Sequence, residues 1–320
     1  MDTTLLTANL SSPPVLAFAA GVAAVFARSD LKIPEQIYQG LAIYLLISIG
    51  FKGGTALAGS NLSSIALPAA ATILLGLVIS VSIFYITKAI LFKDTVNAAA
   101  AAAHYGSVSA VTFMACIAFL ESRAISYEGY MTALMAVMEI PAIMAAIGLA
   151  KIYQKDGSGS VKLAIQEALA GKSVFLLTAG LIIGAVAGPV AAAKAEPFLV
   201  QPFYGVLIIF LLEMGLVAGN SMKGFKDKRK RLAVFALVAP LIQGTIGVAV
   251  GAAVGLSTGG ATLLGTLAAS ASYIAAPAAV RIALPTANPS YYLFSSLGVT
   301  FPFNLIVGIP LYYTLAKSLT

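Results

Sequence analysis

The sequence predicts an all-α polytopic membrane protein: ten transmembrane helices in a 5+5 inverted repeat, with two discontinuous helices, spans 4 and 9, that cross. Three observations predict it. Of 320 residues, 60% are hydrophobic and only 10% charged, far from the balance of a soluble domain. The apolar residues fall in runs long enough to cross about 30 Å of hydrocarbon, for which roughly 17 to 25 helical residues suffice. Finally, the pentad Gly106-Ser107-Val108-Ser109-Ala110 returns 163 positions later as Ala269-Ser270-Ala271-Ser272-Tyr273, each copy inside an apolar run.

In chain order the spans are 11–27, 36–57, 66–92, 95–120 and 129–151, then 172–193, 199–219, 232–255, 258–283 and 289–316. The first is short, but no basic stretch precedes it and Asp2 is its only nearby charge, so a span is expected there and not a cleaved leader. The polar stretch 152–171, with Asp156-Gly157-Ser158-Gly159-Ser160, reads as a cytoplasmic linker between repeats at 1–151 and 172–320.

The net charge of +7 orients the chain and does not mark nucleic-acid binding. With an external N-terminus, the inner loops hold Arg28, Lys32, Lys88, Lys93, Lys151, Lys155, Lys162, Lys172, Lys223, Lys226, Lys228, Arg229, Lys230, Arg231 and Arg281, fifteen cations. The outer side holds Arg123, Lys194 and Lys317, and Lys52 lies inside the second run. This asymmetry expects both termini outside in a multi-pass protein of the plasma (inner) membrane. The run Lys223 to Arg231 reads as a topogenic, anionic-lipid contact.

Sliding the halves by 165 residues sets Gly40 on Gly205, Gly50 on Gly215 and Gly54 on Gly219, and a slide of 163 aligns the serine motifs. Five spans per half is an odd number, so the second copy enters the membrane from the opposite side. Such inverted repeats place sites near the midplane and support two mirror-related conformations.

A helix can break in hydrocarbon only where protein or ligand satisfies the freed backbone groups. Breaks near the serines aim half-helix N-termini, with free N–H groups and partial positive charge, at the crossing, which suits an anion. Gly106, Ser107, Ser109, Ala269, Ser270 and Ser272 are the candidate substrate-binding residues. Incoming half-helices end in carbonyls, which with an acidic or amide side chain suit a small hard cation. Glu139, two residues before Pro141, and Asn304, two after Pro302, are the candidate sodium ligands. The competing reading is that the serines bond their own helices or glue neighbours together; two Ser-x-Ser pairs at equivalent repeat positions favour a site.

Other polar residues at depth are Glu213, read as a gate residue or a lysine's partner, Gln243, and Lys52, expected to snorkel outward. Arg281 is expected to anchor the inner interface. One cysteine, Cys116, and one histidine, His104, exclude a disulfide within the chain and a multi-imidazole metal site. His104 three residues before Ser107 permits a hydrolase-like pair, but a duplicated serine motif without a second histidine argues against an enzyme.

Several strings are similar to the cyanobacterial-type sodium-dependent bicarbonate transporter family. They are Ser272 to Pro285, Ala287-Asn288-Pro289-Ser290-Tyr291-Tyr292 and Thr300 to Tyr313, with Ile33-Pro34, Gly53-Gly54, the 106–110 motif, Ile125-Ser126-Tyr127-Glu128 and Glu139-Ile140-Pro141 in the first half. The resemblance implies sodium-coupled symport of bicarbonate into the cell, with anion and sodium sites where the broken helices cross. It also implies a homotrimer and a PII-like cytoplasmic regulator. The chain departs from the family in its short 152–171 linker and in carrying Glu139 where the family has aspartate. The alternative is a sodium- or proton-coupled symporter of another small monovalent anion, such as a short carboxylate, with Glu139 taking the proton.

Overall fold

The computed structural model describes residues 3–58, 62–153, 172–224, 229–273 and 275–320. The linker expected at 152–171 lies almost wholly outside the described residues, as does part of the basic run. The described chain is helical: α1 (Thr3–Leu10), α2 (Pro13–Phe26), α3 (Glu35–Ala58), α4 (Leu62–Ile90), α5 (Thr95–Gly106), α6 (Ala110–Glu121) and α7 (Met131–Tyr153). After the linker come α8 (Lys172–Leu199), α9 (Phe203–Gly224), α10 (Arg229–Ala253), α11 (Thr258–Ala269), α12 (Ala275–Ala283) and α13 (Pro289–Leu319).

Seven described helical stretches are long and apolar enough to cross a membrane. Two of the three spans by which this falls short of ten, spans 1 and 9, have a physical reason. Helix α2 has 14 residues, about 21 Å at 1.5 Å per residue. Span 9 is cut into α11 and α12, of 12 and 9 residues. Span 6 is, by contrast, longer than expected, because Lys194 lies within α8 and does not end it.

Helices pack through glycine at three crossings, one of them α10 on α11, where a Cβ at Gly247 or Gly251 would meet the main chain of Gly265 and Leu264 or of Ala261. Helix α2 lies on α9 and α3 on α8. A Cβ at Gly21 would overlap the Leu212 carbonyl oxygen, and one at Gly215 the Phe18 carbonyl oxygen. At the α3–α8 crossing, Gly50 and Gly54 meet the carbonyls of Leu177 and Leu181, and Gly180 and Gly184 meet those of Ile47 and Phe51. Reciprocal small-xxx-small contacts of this kind bring backbones together where lipid supplies no hydrophobic drive. The glycines that the 165-residue slide aligns have matching surroundings: Gly50 and Gly215 sit at crossings, whereas Gly40 and Gly205 both face open space.

The other helices form two further groups, α4 with α5 and α7, and α10 with α11 and α13. At their centre every residue of Ala98–Gly106, Val111–Leu120 and Gly259–Ala269 is buried. Outward-facing Leu67, Leu74, Ile86, Val186 and Phe198 are exposed, as a lipid-facing surface requires.

Prolines inside these helices free carbonyls that hydrocarbon cannot satisfy. Pro240 removes the donor to Ala236, and Thr300 Oγ1 donates to that carbonyl at 2.7 Å while lying 2.7 Å from the Tyr105 hydroxyl. Pro310 removes the donor to Ile306, whose carbonyl accepts from Asn9 Nδ2 at 3.0 Å. Helix α13 carries two π-helical segments, Phe294–Thr300 and Asn304–Gly308, beside these contacts. Replacing Thr300 by valine keeps the shape but strands the Ala236 carbonyl and leaves the Tyr105 hydroxyl with Ser295 alone. At about 1 to 3 kcal/mol for an unsatisfied group, a Thr300→Val variant is expected to melt well below the parent in detergent; an unchanged melting temperature would show the contact to be idle.

Candidate substrate and ion site

Span 4 breaks where the serines are. Helix α5 ends at Gly106, whose position is fixed because a Cβ there would meet Ser80 Cβ at 2.5 Å. Ser107 is extended, and Ser109 caps α6: its Oγ accepts from the Thr112 N–H at 3.1 Å and from the Thr112 hydroxyl at 3.0 Å. The second break follows the same plan. Helix α11 ends at Ala269, Ser270 is extended, and Ser272 Oγ accepts from the Ala276 N–H at 3.1 Å near the start of α12.

The two breaks are bonded to each other. The Ser109 N–H donates to Ser270 Oγ at 2.9 Å, and Ser270 Oγ in turn donates to the Leu267 carbonyl at 2.8 Å. Perfect repeat symmetry would give the Ser272 N–H to Ser107 Oγ. It goes instead to the His104 carbonyl, at 2.8 Å. Ser107 is left 1% exposed with a hydroxyl that bonds nothing. A buried orphan of this kind costs free energy unless something binds it.

Of the sequence-predicted residues, Gly106, Ser107, Ser109, Ala269, Ser270 and Ser272 are therefore brought together, with three of the four hydroxyls already engaged. The half-helix α6 opens into this junction with the N–H groups of Ala110 and Val111 outside its internal ladder. The Tyr273 ring closes one side, edge-on to Phe301 at 5.6 Å, and Phe301 is in turn edge-on to Phe18 of α2 at 5.2 Å.

Asn304 joins the second break: Nδ2 donates to the Ala269 carbonyl at 2.8 Å, and Oδ1 accepts from the Tyr312 hydroxyl at 3.1 Å. Glu139 is buried on α7, one residue from Met138, whose carbonyl and that of Gly106 both lie within 4 Å of the space beside Gly76. It thus sits by the first break. No described hydrogen bond joins Glu139 to Asn304: Glu139 lies near the first break and Asn304 bonds at the second. Pro141 also frees the Val137 carbonyl beside Glu139. No group of three or more His, Cys, Asp or Glu able to hold a metal occurs among the described residues. A hard cation here would rest on carbonyl, hydroxyl and amide oxygens with one carboxylate.

His104 Nδ1 lies 2.7 Å from the Ala100 carbonyl and its ring stacks on Tyr292 at 4.1 Å. Its Nε2 has no partner, and neither does Ser107 Oγ, so no nucleophile–base hydrogen bond joins them.

Sequence reasoning missed two contacts. Lys52, expected to snorkel, pairs with Glu121, which also accepts from the Tyr127 hydroxyl at 2.8 Å. The ammonium is both exposed and paired, because α3 and the end of α6 meet at this face. Glu128 accepts from the Ser257 N–H at 2.6 Å and lies 3.2 Å from its hydroxyl, holding a carboxylate at the N-terminus of α11. The signal was Ser257, an N-cap bonded to the Gly260 N–H at 3.2 Å, just ahead of an apolar run. Glu213 Oε2 has no partner, and of its two readings, gate residue or lysine's partner, the second finds no lysine among the described residues. The Gln243 amide is also unpartnered, and the Arg281 side chain lies outside what the structure describes.

Helices of membrane-spanning length, buried broken helices and a lipid-facing apolar surface define a multi-pass membrane protein whose polar junction is internal. The chain belongs to the Na+-dependent bicarbonate transporter superfamily, whose family model matches residues 13–317. That is a transporter family and not an enzyme class. It makes bicarbonate the indicated substrate and sodium the indicated coupling ion. No curated protein matches the chain.

Proposed function

We propose that the protein is a secondary active transporter, a sodium-coupled symporter that brings bicarbonate into the cell by alternating access through a ten-span, 5+5 inverted-repeat fold. The observation that carries it is the orphaned hydroxyl of Ser107, buried where two bonded helix breaks meet. An oxyanion there receives the Ser107 hydroxyl and the free N–H groups opening α6, while Glu139 and Asn304 hold sodium beside the two breaks. Opposite charges side by side near the midplane let anion and cation cross together at low electrostatic cost. The reciprocal glycine crossings and the matched α4–α5–α7 and α10–α11–α13 groups support the repeat. The family resemblance supports a homotrimer and a PII-like cytoplasmic regulator, and the charge asymmetry of the loops supports an inner-membrane protein with both termini outside.

A second reading is transport of a short carboxylate with a proton on Glu139. It is favoured by the burial of Glu139 and by the fact that the one ion pair among the described residues is Lys52–Glu121.

Labelled bicarbonate is expected to accumulate in proteoliposomes only under an inward sodium gradient. Uptake indifferent to sodium would remove the symport reading, and competition by equimolar formate or acetate, with uptake following a proton gradient, would move the assignment to the second. Glu139→Ala is expected to raise the sodium concentration for half-activation more than it lowers expression. An unchanged sodium curve excludes Glu139 from the cation site.

A further inference from the structure

Between α4 and α10 runs an apolar groove of about 700 Å³. Val78, Ile86 and Ile90 form one wall and Val234, Val238 and Ile242 the other. Along α10 it extends from Lys230 to Ile246, about 24 Å at 1.5 Å per residue, most of a hydrocarbon core. Gln243 lies at its deep end, and Lys230 and Arg231 stand at its mouth, beside Ile90 and Leu91 at the end of α4.

The two cations at the mouth are exposed, and no described acidic residue pairs with either. Lys88 does not contribute, because its ammonium is held over the Tyr153 ring at 3.8 Å. The groove therefore calls for an occupant that is apolar over most of the bilayer's thickness and anionic at one end. Its walls, left empty, would forgo dispersion contacts along their whole length. A guanidinium and an ammonium together match a phosphate, the first by directional hydrogen bonds and the second as a point charge.

We propose that this groove is a specific site for an anionic phospholipid, with an acyl chain between α4 and α10 and the phosphate on Lys230 and Arg231. Helix α4 packs on α5, and α10 on α11, so the lipid braces the two helices that support both breaks.

The test uses the full chain in phosphatidylcholine nanodiscs with a trace of chain-labelled nitroxide phosphatidylglycerol or phosphatidylcholine, reading the motionally restricted spectral component. Labelled phosphatidylglycerol is expected to show the larger restricted component. Removing each cation should weaken its association about fivefold, so K230Q/R231Q should bring it down to the level of phosphatidylcholine. V238W/I242W, which fills the groove with both cations intact, should abolish the preference as well. Equal association of the two lipids with the parent chain overturns the proposal, as does a preference that survives either double variant. K230Q/R231Q alters only exposed side chains and keeps the test decisive if the tryptophan variant fails to fold. Efficient cross-linking between copies through V238C, with the native Cys116 buried, would assign the groove to a second chain and also overturn it.

Discussion

Ser107→Ala is expected to raise the half-saturating bicarbonate concentration about 10- to 150-fold without lowering the melting temperature. The magnitude is that of one hydrogen bond to a charged group, roughly 1.5 to 3 kcal/mol. The lack of a stability effect follows because Ser107 Oγ bonds nothing in the protein. The other three serines should behave differently. Ser109 and Ser272 serve as caps and Ser270 joins the breaks, so their alanine variants lose about 0.5 to 2 kcal/mol of stability before any substrate is added. Measuring half-saturation and melting temperature on all four separates the two roles. An unchanged affinity in Ser107→Ala would mean that the anion lies elsewhere and that the serines only join helices.

The second large effect belongs to the glycine crossings. Gly54→Leu and Gly184→Leu each drive a side chain into a backbone carbonyl of the opposing helix, which cannot rotate away. Overpacking typically costs 1 to 3 kcal/mol, and with main chain against main chain we expect about 3 kcal/mol or more, seen as loss of monodisperse protein on purification. Gly40→Ala and Gly205→Ala are the controls. Nothing lies within 4 Å of a Cβ at either position, so the better helix former should be neutral or stabilising by up to about 1 kcal/mol. Leucine variants as stable as the parent would mean that α3 and α8 do not meet as described.

The positions of both breaks were legible because a Ser-x-Ser pair inside an apolar run is a local signal, and both interruptions fall there. The span limits were close too: 36–57 was expected for α3 and Glu35–Ala58 is found. What escaped the sequence was pairing. That Lys52 meets Glu121, 69 residues away, or that Asn9 reaches Ile306, depends on which helix ends share a face, and no local pattern carries that. The difference between Ser107 and Ser270 was equally hidden. The two motifs read alike, and only the shift of one N–H from a hydroxyl to the His104 carbonyl separates them.

The glycine contacts have a mechanical corollary. Helices touching along their main chains cannot slide by a residue without driving one backbone into another, so α2 with α9 and α3 with α8 behave as stiff struts. Helix α11 is held on α10 in the same way, through Gly247, Gly251 and Gly265, whereas the two breaks are joined to each other by a few exchangeable hydrogen bonds. Compliance is thus concentrated at the breaks, between stiff helix pairs. Where the stiff pairs touch the helices around the breaks, through the Lys52–Glu121 pair and the Phe301–Phe18 ring contact, a small displacement loosens those contacts while each pair keeps its own shape.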